Sequence, residues 1–398
     1  MRVSSVLGFT GLSVAYAISS LAVLAAAAPV IAAPASDISA STSSTSATID
    51  DVKTYSPGAD TTWLDSTLMA AGRKADAVKT TFVVNPKAGP YKSVTAAIAA
   101  LPSDGQEYTI YITAGTYNEQ ISITRAGKTI LRGETKFEND YTENTVTISY
   151  SNGKLTSASK DEETPVITAT NTDGKGLAIY NINFRNTYPQ TPNTAALAAD
   201  FYGTVQAYGC SFYGFQDTLL ANKGTQVFSN CYIEGNIDFI WGYSTAYFYQ
   251  SVIASNTPGS CIAAMSRPSS AAPGGYVFDS CVVTYTSKYG ETFENTWLGR
   301  PYSSYSRVIY MNSYLDKHIN SEGWHEWSVK SPQTEHVTFG EYNNSGPGSW
   351  SGGRASFATS LTKAQADAYS LSNWVGGTSW LDMAAYESVP SYKLPRSL

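Results

Sequence analysis

The sequence predicts an all-β fold: a parallel β-helix, a solenoid in which each coil adds one strand to each of several parallel sheets. Two observations carry this. From about Thr80 the chain is a series of short apolar, β-branched and aromatic runs punctuated by Gly, Asn, Ser and Thr, with few stretches long enough for a helix. Six of those runs share one pattern around a central, usually small residue: YNINF, YGCSF, SNCYI, YQSVI, DSCVV and MNSYL, starting at 180, 208, 229, 249, 279 and 311. Their centres, Ile182, Cys210, Cys231, Ser251, Cys281 and Ser313, recur at intervals of 28, 21, 20, 30 and 32 residues. A basic interval near 20, lengthened by loops, marks a solenoid. The competing β-sandwich spaces its strands at roughly 8–12 residues without a larger repeating unit.

In chain order, the first element is a targeting segment. Arg2 is the only charged residue before Asp37, and Leu12 to Ala33 is an apolar, Ala-rich run. Residues 1–33 therefore read as a secretory signal peptide, with a retained membrane anchor as the alternative. Residues 34–49 are mostly Ser, Thr and Ala, a composition that reads as a flexible lead-in. A single folded domain is expected over 50–398, secreted and extracellular, with no membrane attachment once the signal is removed. Two short helices are expected as caps. One is Val94 to Leu101, with Ser93 as N-cap and Pro102 as stop; the other is Thr362 to Tyr369. Asn343-Asn344-Ser345 is the only glycosylation sequon.

Composition excludes several functions. The 398 residues carry 26 Lys+Arg against 32 Asp+Glu, a net charge of −6, with no basic cluster to follow a phosphate backbone, so no nucleic-acid partner is expected. The 42% hydrophobic and 13% aromatic content argues against disorder. Three His (His318, His325, His336) and no Gly-x-Ser-x-Gly leave little material for a serine–histidine relay or a His-built metal site. No heptad pattern suggests an oligomer, so a monomer is expected.

The spacing makes a sharper statement. Cys210 to Cys231 is 21 residues, and so is Asp217 to Asp238. At that local period equivalent positions stack at about 4.8 Å. Two contacts are expected: a Cys210–Cys231 disulfide on neighbouring coils, and Asp217 beside Asp238. Cys261 and Cys281 pair only by elimination. Stacked carboxylates do not both ionise cheaply, so one keeps its proton while a nearby cation favours the anionic form of the other. Such a pair suits a general acid/base beside a carboxylate nucleophile. The plainer reading is two solvated turn acids. Against it, Asp238 lies in Ile237-Asp238-Phe239-Ile240-Trp241, where an unpaired charge is costly.

At these residues the sequence resembles the pectin methylesterases (pectinesterases), especially those of fungi. The resemblance runs through FVVNPKAGPYKSVTAAIAALP at Phe82, GTYNEQISI at Gly115, GFQDTLL at Gly214, GNIDFIWG at Gly235, WLGRPYSSYSRVIYMNS at Trp297 and LTKAQADAY at Leu361. It implies a single-stranded right-handed parallel β-helix with short capping helices. The implied activity is hydrolysis of the methyl ester of galacturonosyl units in methyl-esterified homogalacturonan, a polysaccharide substrate, with no metal and no organic cofactor. It also implies site roles: Gln216 as oxyanion donor, Asp217 as general acid and then base, Asp238 as nucleophile, and Arg300 holding Asp238 ionised. Thr194 stands where the family usually has a second assisting Gln, leaving its own hydroxyl, Gln190 or Gln206 as substitutes. Leu220 stands where many members have an aromatic residue. Trp241 and Tyr302 replace a commoner Phe and Trp, and both are expected to bind substrate. Trp324, with Trp327, is a candidate for lining the cleft.

Two other classes compete. A lyase or glycosidase on the same scaffold would shorten the polymer without methanol, a lyase through a Ca²⁺ cluster and a glycosidase through two carboxylates. A non-catalytic wall-binding solenoid would hold pectin without turnover. The sequence pI of about 5.2 leaves the chain weakly charged in mildly acid medium, where repulsion from a polyuronate is reduced.

Overall fold

A computed structural model describes residues 80–154, 160–171, 175–191 and 194–390. The expected signal peptide and lead-in lie outside the described residues. Within them, the strands form three parallel sheets of eleven, seven and eight strands. Successive coils supply one strand to each. Val205–Tyr208, Ser211–Tyr213 and Leu219–Lys223 form one coil, and Thr225–Ser229, Tyr232–Gly235 and Ile240–Gly242 the next. Their register is constant at 21 residues: Gln206 opposes Val227, Ser211 opposes Tyr232, and Leu219 opposes Ile240. This is the parallel β-helix that the periodicity predicts.

The aligned residues of the repeat are corners, not strand centres. Each follows a single residue in the left-handed region: Asn181 (φ 54°), Gly209 (58°), Asn230 (53°), Gln250 (46°), Ser280 (56°) and Asn312 (52°). One such residue turns the chain from the eleven-stranded sheet into the eight-stranded one, which is why Asn and Gly recur there. At five of the six corners, all but that of Ile182, the next side chain closes the turn by donating to the carbonyl two residues back. Ser251 Oγ reaches Tyr249 O at 3.0 Å and Ser313 Oγ reaches Met311 O at 2.9 Å. The sulfurs of Cys210, Cys231 and Cys281 make the same contact at 3.5, 3.4 and 3.5 Å.

This geometry corrects the disulfide expectation. Cys210 and Cys231 do stack on neighbouring coils, yet all four cysteines are free and buried. Each corner thiol serves as a serine-like donor to its own strand end. Cys261 lies in the strand Ser260–Met265 of the seven-stranded sheet, whereas Cys281 is a corner between the other two sheets, so elimination paired residues from different places.

Inside the solenoid, equivalent positions form ladders. Phe228, Phe248, Phe278 and Tyr310 stack face to face, with centroids 4.9, 4.5 and 4.3 Å apart. Every ring is fully buried, so truncating one is expected to cost about 3–5 kcal/mol. The ladder ends at Glu341, which faces Tyr310 across the sheet and is held by Arg354.

The helix Val94–Ala100 caps the N-terminal end as expected. The Ser93 hydroxyl accepts from Ala96 N, the Glu119 carboxylate accepts from Val94 N and Thr95 N, and Val94 and Ala97 join the core. The second expected helix is present, shorter than expected, directly after the last strand, Ala358–Ser360. Lys363–Asp367 is helical, with a Thr362–Gln365 capping box. From there the chain lies along the outer face of the eleven-stranded sheet. Trp374 Nε1 donates to Ala246 O, Tyr180 Oη to Asp382, and Ser229 Oγ to Tyr386 O. That face carries Tyr180, Tyr208, Val227 and Tyr247, an apolar strip that the tail covers.

Candidate active site

The seven-stranded sheet sets the site. In the strand Ala199–Gly203, Ala199 and Phe201 point into the core, so Asp200 points outward. The register carries that outward position through Asp200, Leu220, Trp241, Ala264 and Arg300 on successive coils. Leu220, Trp241 and Ala264, with Ala195 and Leu197, form an apolar floor outside the main core, against which Trp327 packs.

Asp217 and Asp238 occupy equivalent corners just before two of these strands, at φ 62° and 51°. Asp tolerates the left-handed region better than most residues. The backbone ties the corners together: Asp217 N donates to Ile237 O at 3.0 Å and Asp238 N to Cys261 O at 2.8 Å. A glycine three residues earlier lets the coils close. A Cβ on Gly235 would meet Phe239 Cβ at 2.3 Å and Thr218 Oγ1 at 2.6 Å.

Arg300 grips Asp238 with two parallel hydrogen bonds, Nε to Oδ1 at 2.9 Å and Nη2 to Oδ2 at 2.6 Å. Its guanidinium carbon lies 4.3 Å from the centroid of Trp327. Burial pushes the Asp238 carboxyl up, and Arg300 opposes that shift. Asp217 is pushed well above the usual carboxylate range, first by burial and then by the charges of Asp238 and Asp161. The difference lies in the partner: Asp238 has the cation in bidentate contact, while Asp217 has the carboxylates beside it.

Gln216 Nε2 lies 3.5 Å from Asp217 Oδ2, a long contact, and Gln216 Oε1 is buried with no partner among the described residues. Thr194 is buried and its hydroxyl has no partner among the described residues. Gln206 is turned away: it binds Trp380 O, Tyr208 Oη and Asp382 N behind the eleven-stranded sheet, so it cannot be the second donor. Trp241 and Tyr302 meet edge to face at 6.3 Å, and Tyr302 also contacts Trp327 at 5.1 Å and the exposed Tyr243 at 6.1 Å. Trp324 is corrected. It is 1% exposed, stacks on Phe339 at 4.4 Å and donates to Glu341, so it belongs to the core, and of the two tryptophans Trp327 flanks the site.

Sequence reasoning missed the groups on the N-terminal side of the pair. The short 3-10 turn Asp161–Glu163 brings Asp161 into the field of Asp217 and Glu162 into that of Asp200; Lys154 pairs with Asp161 at 3.0 Å. The signal for Asp200 was its place between two core residues in an alternating strand.

The chain matches the family described as Pectinesterase over residues 80–378. A pectinesterase of Aspergillus aculeatus is 36% identical over 326 residues, covering 79% of this chain and 95% of that protein. Pectinesterase A of Emericella nidulans is 40% identical over 299 residues, 74% and 86% of the two chains. Among solved structures, a pectin methylesterase from Aspergillus niger superposes with a TM-score of 0.70 at 33% identity, covering 78% of this chain and 99% of that one. The pectin methylesterase from carrot, at 24% identity, shares the fold with a TM-score of 0.71 and covers 80% and 99%.

Proposed function

Given that this chain belongs to the pectinesterase family and is a carboxylic ester hydrolase acting on methyl-esterified pectin, we propose that Asp238 is its nucleophile and Asp217 its proton donor and acceptor. A carboxylate oxygen of Asp238 attacks the ester carbonyl carbon, and the resulting oxyanion takes a hydrogen bond from Gln216 Nε2, whose contact to Asp217 is long enough to yield. The carbon–methoxy bond breaks as Asp217 gives its proton to the departing oxygen, releasing methanol and leaving an anhydride between Asp238 and the uronosyl group. Water attacks that anhydride, its proton returns to Asp217, and the free uronate leaves with Asp238 restored. Arg300 keeps Asp238 anionic and fixes both its oxygens. Thr194, Trp241 and Tyr302 are assigned to substrate contact, and Trp327 takes the place given to Trp324.

The observation that supports this reading best is the bidentate Arg300–Asp238 pair beside a carboxyl that lacks such a partner. Acid needs the second environment and nucleophile the first. The test is borohydride quenching of the wild-type enzyme during steady-state turnover of methyl-esterified pectin, since Asp217→Asn loses the acid of acylation together with the base of deacylation. Homoserine at position 238, dependent on esterified substrate, is the expected product. Homoserine at another aspartate, or none in a sample still releasing methanol, would reject the assignment.

Action outside the cell follows from the expected signal in residues 1–33 together with a cell-wall polysaccharide as substrate. Culture-medium recovery of the full chain, with its N-terminus read by mass spectrometry, tests it; retention in the cell pellet would count against secretion.

A further inference from the structure

Asp200 is the outward neighbour of Leu220 and stands in the same column as Trp241 and Arg300, toward the N-terminal end of the site. It is 6% exposed. Its flanks in the sheet are uncharged, Thr168 on one side and Leu220 on the other. The sheet bulges between Phe201 and Tyr202, leaving Asn222 without an opposite residue, and Asn222 Nδ2 donates to Asp200 Oδ1 at 3.1 Å. The charge that bears on Asp200 is another carboxylate, Glu162 of the 3-10 turn. The cations of this region are engaged with other groups: Lys154 with Asp161, Lys223 over the Tyr202 ring, and Arg300, four coils further along the column, with Asp238.

Resting on the pectinesterase reading, we propose that Asp200, with the charge of Glu162 adding to its own, determines specificity by charge: the sugar bound on the N-terminal side of the scissile ester must itself be methyl-esterified. Pectin is a chain of uronosyl units, each either a neutral ester or an anion. Alongside an apolar floor of Leu197, Leu220 and Trp241 a methoxy group is welcome. A free carboxylate there meets a like charge in a poorly hydrated site, and discrimination through repulsion is stronger than through a missing contact. Attack therefore favours esters whose neighbour on that side is still esterified.

The experiment compares kcat/KM for methanol release on high-ester and low-ester pectin, in wild type, Asp200→Asn and Glu162→Gln. The expected wild-type preference for high-ester pectin shrinks about tenfold in Asp200→Asn and less in Glu162→Gln. Asp200 is pushed up to about 6, chiefly by burial, while a sugar carboxyl of ordinary acidity near 4 stays ionised above that. The wild-type preference should thus grow as pH rises through about 6 and lose that dependence in Asp200→Asn. A ratio unchanged in both variants overturns the proposal. So does a loss shared equally by both substrates, which marks a structural role, as does an inactive Asp200→Asn whose Glu162→Gln counterpart keeps the wild-type ratio. Failure of the Asp238 assignment reads differently, as loss of methanol release on every substrate in Asp238 variants.

Discussion

Arg300 holds both carboxylate oxygens of Asp238, at 2.9 and 2.6 Å, across 62 residues of sequence and two coils of the solenoid. The planar fork fixes the carboxylate's orientation as well as its charge, which an ammonium does not do. Arg300→Lys is therefore expected to lower kcat by about 10²–10³ with a small change in KM. Steady-state methanol release measures both. An equal rise in KM with kcat preserved would make Arg300 a substrate anchor.

The paired carboxyls set a pH profile. Asp217 must hold its proton and Asp238 must lose one, and Asp217 is pushed further up. The rate should fall on the acid side as Asp238 protonates and on the basic side as the free enzyme's Asp217 ionises, giving a bell in kcat/KM. Replacing Asp217 by Asn removes turnover, so the basic limb is read in Gln216→Ala, where loss of its hydrogen bond to the Asp217 carboxylate moves that limb upward.

Stability carries the opposite sign from an ordinary salt-bridged acid. A carboxyl raised above its unfolded value binds more proton in the folded state, so stability is lost as pH climbs from about 4 toward the folded value. Asp217→Asn should raise Tm by about 1–3 °C near neutrality and by less near pH 4. Calorimetry at the two pH values decides it; an equal shift at both would assign the effect to packing instead.

At the far end of the core, Arg354 Nε and Nη2 meet Glu341 at 2.8 and 3.0 Å, both side chains about 2% exposed, and Trp324 donates to the same carboxylate. Removing one partner strands a buried charge. Arg354→Ala should cost about 3–5 kcal/mol, and the joint replacement of Arg354 and Glu341 by Met and Leu considerably less. Denaturant unfolding of both variants tests the coupling.

The corner thiols give a direct count. Four thiols should react with a thiol reagent in denaturant without reductant, and Cys210→Ser and Cys231→Ser should cost under about 1.5 kcal/mol, since Ser251 and Ser313 make the same contact. Two reactive thiols would mean that a bridge forms.

Much of this was legible because a solenoid turns sequence distance into spatial distance. Once one local period is known, 21 residues places Asp217 over Asp238 and Cys210 over Cys231. The period says nothing about direction. Cys at a corner reads as a crosslink until its thiol is seen bound to its own strand end. Trp324 and Trp327 lie three residues apart in one polar stretch, and only packing assigns the first to the Phe339 stack and the second to Arg300. The C-terminal tail covers a sheet face because Tyr180, Tyr208 and Tyr247 line up outward there, a strip assembled from coils that sequence order keeps apart. Asp200 was hidden for the same reason: its column exists only in the register.

The most direct measurement is methanol release from methyl-esterified pectin by Asp238→Ala, with the near-ultraviolet circular dichroism of the same sample. The account predicts a fall of at least about 10³-fold in kcat with an unchanged spectrum. Turnover within tenfold of wild type by a natively folded variant would contradict it.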